Sequence, residues 1–224
     1  EKIVAIHNNV KQSIEWDGQK DFYAGNFKKI LDLKKGTSGD INLLLAAMLE
    51  KAGFAVDMVL LSTRDHGFVR ESYPMTRQFN YVVCLVRLGE KTIFLDATDK
   101  FLPVNMLPER CINGRGLVIS ENHFGWIPLD TKTKAKTMVN ADFTIAETGA
   151  LKGKIAFIRE GYDANKMRSA YKAKGEDTYV KEFVGSRTWK IDSLHFANIS
   201  KISEPTKETY RLEIEDHASL AGDN

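Results

Sequence analysis

One stretch constrains this chain more than any other: Lys35-Gly36-Thr37-Ser38-Gly39-Asp40-Ile41-Asn42-Leu43-Leu44-Leu45-Ala46-Ala47-Met48-Leu49-Glu50-Lys51-Ala52-Gly53. A tight turn feeds a helix that is apolar almost all round, and such a helix has to lie at the centre of a domain. Thr37 or Ser38 can cap its first amides, Asp40 suits its positive end and Gly53 suits its stop. Ser38 therefore stands where free amides and the helix dipole meet. Enzymes set activated nucleophiles in such places.

Around that helix the remaining elements follow from periodicity. Ile3, Ile6, Val10 and Ile14 recur at helical spacing over 3–16, with Asp17-Gly18 as the stop. Residues 21–34, with Phe22, Phe27, Ile30 and Leu31, carry a weaker pattern, a short helix or a loop with one turn. Residues 55–62 read as a buried strand, and 63–78 as a long polar loop containing His66 and Pro74. Residues 81–88 read as a strong strand, with 91–97 returning across a Gly89-Glu90 turn. Residues 117–120 add a short strand. The polar stretch 131–136 reads as a linker, so the chain divides into a domain over 1–130 and a second over 131–224. In the second, 139–146 and 151–158 form a hairpin, 164–174 and 177–184 helices, and 189–199 and 208–214 two more strands. That order predicts a small α+β domain.

Composition removes several function classes. Hydrophobic residues make up 43% of the 224, enough for a core. Basic and acidic residues number 32 and 30 and are balanced in both halves, so no nucleic-acid footprint is expected. Cys84 and Cys111 make neither a disulfide framework nor a metal set; Cys84 lies in an apolar run and belongs to the core. Cys111, beside Arg110, has no histidine near it in sequence. His7, His66, His123, His195 and His217 lack ligand spacing, so neither metal nor cofactor is expected. No run approaches the ~20 apolar residues of a membrane span. The chain begins on glutamate inside a predicted helix and reads as a piece of a longer one, so a missing leader carries no information about compartment.

Three segments carry a resemblance. Gly36-Thr37-Ser38-Gly39-Asp40, followed by the apolar helix and Ala52-Gly53, resembles the nucleophile segment of the transglutaminase-like branch of the papain-like enzymes, whose usual centre is cysteine. Phe79-Asn80-Tyr81-Val82-Val83 resembles the segment that carries the histidine. Leu95-Asp96-Ala97-Thr98-Asp99 resembles the aspartate segment and keeps the aspartate. Residues 59–65 and 107–110 are similar to bacterial envelope proteins of this group. The resemblance implies an α+β fold, a central apolar helix packed on an antiparallel sheet over 1–130, then a small β-rich domain. It implies a periplasmic or envelope location and, as partners, flanking domains of the same chain and a peptide or protein in the ancestral cleft.

It also implies a broken triad of Ser38, Tyr81 and Asp96. A helix terminus can bring a thiol from ~8.5 into the range of ~3.5 to 7.5, but the same field cannot ionise an alcohol at neutral pH. Serine needs a base, and a phenol with pKa of about 10 is protonated at pH 7. Losing general-base help alone costs about 10²- to 10⁴-fold. The expectation is a degenerate domain serving as a binding or scaffolding module. The alternative is a hydrolase using Ser38 with a substitute base such as His66. An engineered serine is a third reading, but one silencing change would have sufficed without Tyr81. Each residue also has a plain structural reading: Ser38 as a helix cap, Tyr81 as a strand aromatic, Asp96 as acceptor of the Tyr81 hydroxyl. Likewise His123-Phe124-Gly125-Trp126 could be an exposed aromatic platform or packing at a domain junction.

Overall fold

A computed structural model describes residues 1–73, 75–120 and 124–215; Pro74, His123 and the tail 216–224 with His217 lie outside the described residues. The first apolar stripe folds as α1 (Lys2–Ser13), shorter than the periodicity predicts. Ile14 turns extended and Glu15–Trp16 (β1) leaves the helix. The cause is tertiary: β1 pairs in parallel with Lys35–Gly36 (β2), and two backbone bonds there outweigh a further helical turn. The weak pattern of residues 21–34 resolves into α2 (Phe27–Leu33), which Asn26 caps through its side chain.

The apolar helix is α3 (Ser38–Lys51). Its N-cap is Thr37, not Ser38. Thr37 and Asp40 form a reciprocal capping box that satisfies two of the orphan amides at the helix start. Gly53 follows the helix at φ +92, a conformation a side chain would strain.

Five strands form the first sheet: β3 (Ala55–Leu61), β4 (Tyr81–Leu88), β5 (Lys91–Leu95), β6 (Arg115–Ile119) and β7 (Phe124–Pro128). Their order is β5-β4-β3-β6-β7, all antiparallel. β7 has no counterpart in the sequence reading; pairing with β6 makes it a strand. Phe124 is exposed, while Trp126 stacks on Phe79 within the same unit at 6.3 Å.

Alternation along β4 gives each face its own core. Val82, Cys84 and Val86 face α3, where Cys84 and Val86 join Leu45, Leu49, Val10 and Leu95. Tyr81, Val83 and Leu85 face the other way, with Leu61, Leu107, Cys111 and Leu129.

The chain divides at Lys132/Thr133 into two compact units. The second holds β8 (Ala135–Ile145), β9 (Leu151–Glu160), α4 (Gly161–Lys174), α5 (Glu176–Val184), β10 (Trp189–Ala197) and β11 (Thr206–Ile214). Residues 135–136, expected as linker, already belong to β8. The sheet order is β10-β11-β9-β8, antiparallel throughout. Phe157, Phe183, Phe196 and Tyr210 pack edge-on or stacked at the helix-covered face. Within that aromatic core the carboxylate of Glu208, wholly buried, accepts from Arg159 and from the hydroxyls of Tyr179 and Tyr210 at 2.9 and 3.0 Å. Both units mix helix and antiparallel sheet, so the chain is α+β. No described helix is long and apolar enough to cross a membrane.

Candidate functional site

Asp96 follows β5 at the point where the chain leaves the sheet, and its carboxylate is the hub of a buried network. Tyr81 Oη donates to Asp96 Oδ2 at 2.9 Å, and Thr98 Oγ1 donates to Asp96 Oδ1 at 2.5 Å. Arg110 Nη2 donates to the Tyr81 oxygen at 3.0 Å and also to the Thr98 hydroxyl. The four groups close a ring. Asp96 takes both hydroxyl protons, and the guanidinium supplies a proton to each hydroxyl oxygen. The Arg110 guanidinium lies over the Trp16 ring, its Cζ 4.2 Å from the ring centroid.

Asn42 completes the site from the helix side. Its amide nitrogen donates to Asp96 Oδ2 at 2.8 Å and to Val82 O at 2.9 Å, and its oxygen accepts from Ala97 N at 2.9 Å. Both amide protons and the amide oxygen of this buried side chain are engaged. Sequence reading passed over Asn42, Thr98 and Arg110 as site residues. A signal existed for the first. An asparagine inside a helix that is apolar all round must find partners if buried.

Of the three residues singled out, Tyr81 and Asp96 are joined. Ser38 is not bonded to either. It opens α3 four residues before Asn42, hence on the same helical face, but its hydroxyl accepts from Asp21 N and donates to Asp21 O, both at 2.8 Å. Residues 17–25 lie as a strap across the start of α3. Ser38 N donates to Gln19 O, Gly25 N donates to Asp40 Oδ1, and Tyr23 runs against Gly39. Lys20 of the strap pairs with Asp65. Ser38, Tyr81 and Asp96 are at most 1% exposed, so no substrate reaches them in this conformation.

Electrostatics push the same way. Burial, reinforced by the adjacent Asp96, raises the Tyr81 phenol well above its usual range although Arg110 opposes the shift. Burial and Asp96 likewise raise Cys111 and keep it a thiol. His7 reaches Asp96 O at 2.8 Å through Nε2, and burial lowers its pKa, favouring the neutral ring. His66 lies 3.0 Å from Ser62 Oγ through Nδ1; the Ser62 proton goes to Gly67 O, so Nδ1 is the donor. His66 therefore pins its own loop. Among the described residues no three His, Cys, Asp or Glu side chains gather as a metal-holding group.

Lys11 adds a measurable consequence. Its ammonium is wholly buried, donates to Leu102 O at 2.8 Å, and is pulled down to about 8 by burial, with Asp99 and Asp96 opposing. An unfolded lysine keeps its proton to pH ~10.4. Between those values the unfolded chain binds more protons, so stability rises with pH. Chemical denaturation should show Lys11 contributing a gain of about 2 kcal/mol from about pH 8 to about pH 10, absent in Lys11→Met. Equal slopes for the two proteins would refute it.

Comparison with known proteins returns nothing: no family model, no curated protein and no solved structure matches the chain. Fold and site define an α+β protein whose helix-opening serine is covered and whose carboxylate hub accepts from a phenol, an alcohol and an amide, with a guanidinium bonded to both hydroxyls.

Proposed function

We propose that residues 1–130 form a catalytically degenerate transglutaminase-like domain that acts as a binding or scaffolding module, in a protein of the bacterial envelope. The observation that carries the reading is the ring around Asp96. Where the family's imidazole would shuttle a proton, a buried phenol has its only proton committed to Asp96 and its oxygen engaged by Arg110. Nothing there can take a proton from Ser38, whose own hydroxyl is bound to Asp21. The order of apolar helix, Tyr81 strand and Asp96 strand end supports the ancestry. The closed strap supports scaffolding over turnover.

Two experiments test this. The chain should show no amidase, peptidase or transamidase activity; turnover abolished by Ser38→Ala would establish the hydrolase reading instead. Separately, Ser38→Cys combined with Tyr81→His tests ancestry. If the lineage is right, a thiol-directed electrophile labels position 38 faster in the double variant than in Ser38→Cys alone. Equal labelling rates would remove the triad argument.

A further inference from the structure

The second unit carries a feature with no connection to Ser38, Tyr81 or Asp96. β8 is the end strand of its sheet, bonded to β9 alone. It is long, runs in unbroken register against β9 from Lys136 to Ile145, and contains neither proline nor bulge. Natural edges are blunted by such devices because unpaired N–H and C=O groups template another strand. The opposite edge of the same sheet is blunted: β10 breaks register between Ile191 and Ser193. β8 is open, with Val139 52% and Ile145 66% exposed on its helix-side face and Met138 39% exposed on the other.

The order of residues along β8 says what fits it. Two copies of the strand, antiparallel about a two-fold axis perpendicular to the sheet, keep side chains of like parity on one face. With the axis at Val139, Lys136 of each copy stands opposite Asp142 of the other. Met138 then faces Asn140, Thr137 faces Ala141, and the two Val139 side chains meet at the centre. Sliding the axis to Asn140 sets Lys136 opposite Thr144, and sliding it to Met138 sets Lys136 opposite Asn140. Only the Val139 register forms cross-strand ion pairs, and it forms two. Lys136 already lies 3.6 Å from Glu160 and keeps an exposed head.

We propose that β8 is a self-pairing edge: two copies of this chain join antiparallel through Ala135–Ile145 about Val139, making one continuous eight-stranded sheet. Ladder hydrogen bonds supply the attachment, the paired valines and their apolar neighbours the contact, and the Lys136–Asp142 pairs the register.

The test is sedimentation equilibrium on the full chain across the micromolar range, with circular dichroism confirming that each variant stays folded. The wild type should dimerise. Val139→Lys sets two ammonium groups face to face and should raise the dimer dissociation constant by at least about tenfold. Asp142→Lys should weaken the dimer, and adding Lys136→Asp should restore it. Under mild oxidation, Val139→Cys should cross-link the dimer symmetrically while Ile145→Cys should not. A wild type that stays monomeric throughout overturns the proposal. So does a dimer indifferent to Val139→Lys, or one that Val139→Cys fails to cross-link.

Discussion

Replacing Asp96 by alanine is expected to cost about 3 to 5 kcal/mol, the largest loss from any single side chain in the first unit. The carboxylate is 1% exposed and accepts from Asn42 Nδ2, Tyr81 Oη, Thr98 N and Thr98 Oγ1. Alanine leaves these donors without an acceptor and leaves the Arg110 cation without its counter-charge. Each orphaned buried donor costs about 1 to 3 kcal/mol, and the losses do not add because the donors share one acceptor. Asp96→Asn keeps the volume and one acceptor oxygen but turns an amide nitrogen toward donors, so about half the loss should remain. Urea unfolding with unchanged m-values measures both. A loss below about 1 kcal/mol for Asp96→Ala would mean that water substitutes for the carboxylate and that the ring holds nothing together.

Gly39→Ala is expected to destabilise by about 2 to 3 kcal/mol, against the helix propensity of the exchange. Alanine in a helix gains up to about 1 kcal/mol over glycine. Here its Cβ would sit 2.0 Å from Tyr23 O, 2.9 Å from Tyr23 C and 3.0 Å from Tyr23 N. All three atoms are backbone, which cannot rotate aside, so the strap has to lift. Lifting it parts Ser38 from Asp21 and Asp40 from Gly25. Hydrogen exchange at the Asp21 and Gly25 amides should accelerate along with the loss of stability. In a Ser38→Cys background, thiol labelling should speed up as well. A Gly39→Ala protein as stable as its parent would show that the strap rests loosely on α3.

Periodicity and end signals made α1, α3, β3, β4, β5 and both helices of the second unit legible, because those signals are local. α3 was the clearest: its apolar run demanded a central position, and most of it is buried. The ends of elements were less legible where pairing partners decide them. Ile14 left its helix because residues 35–36 offered a strand, and 135–136 became strand because Glu160 and Gly161 lay opposite. At the site, Tyr81 and Asp96 could be foreseen as partners. Strand parity could not: it sets the Tyr81 ring on the face away from α3, so that only the hydroxyl comes round to Asp96.

By itself the sequence determined that a helix apolar almost all round would be central and that a serine would stand at its start. Those follow from residue type and spacing, which act over a few residues. Only the tertiary structure decided that Thr37 takes the cap, that Asp21 takes the Ser38 hydroxyl, and that Asn42, Thr98 and Arg110 converge on Asp96. The groups that converge around Asp96 lie as far as 68 residues apart along the chain (Asn42 to Arg110). A buried carboxylate must find donors wherever the fold brings them, and no local rule says which will arrive.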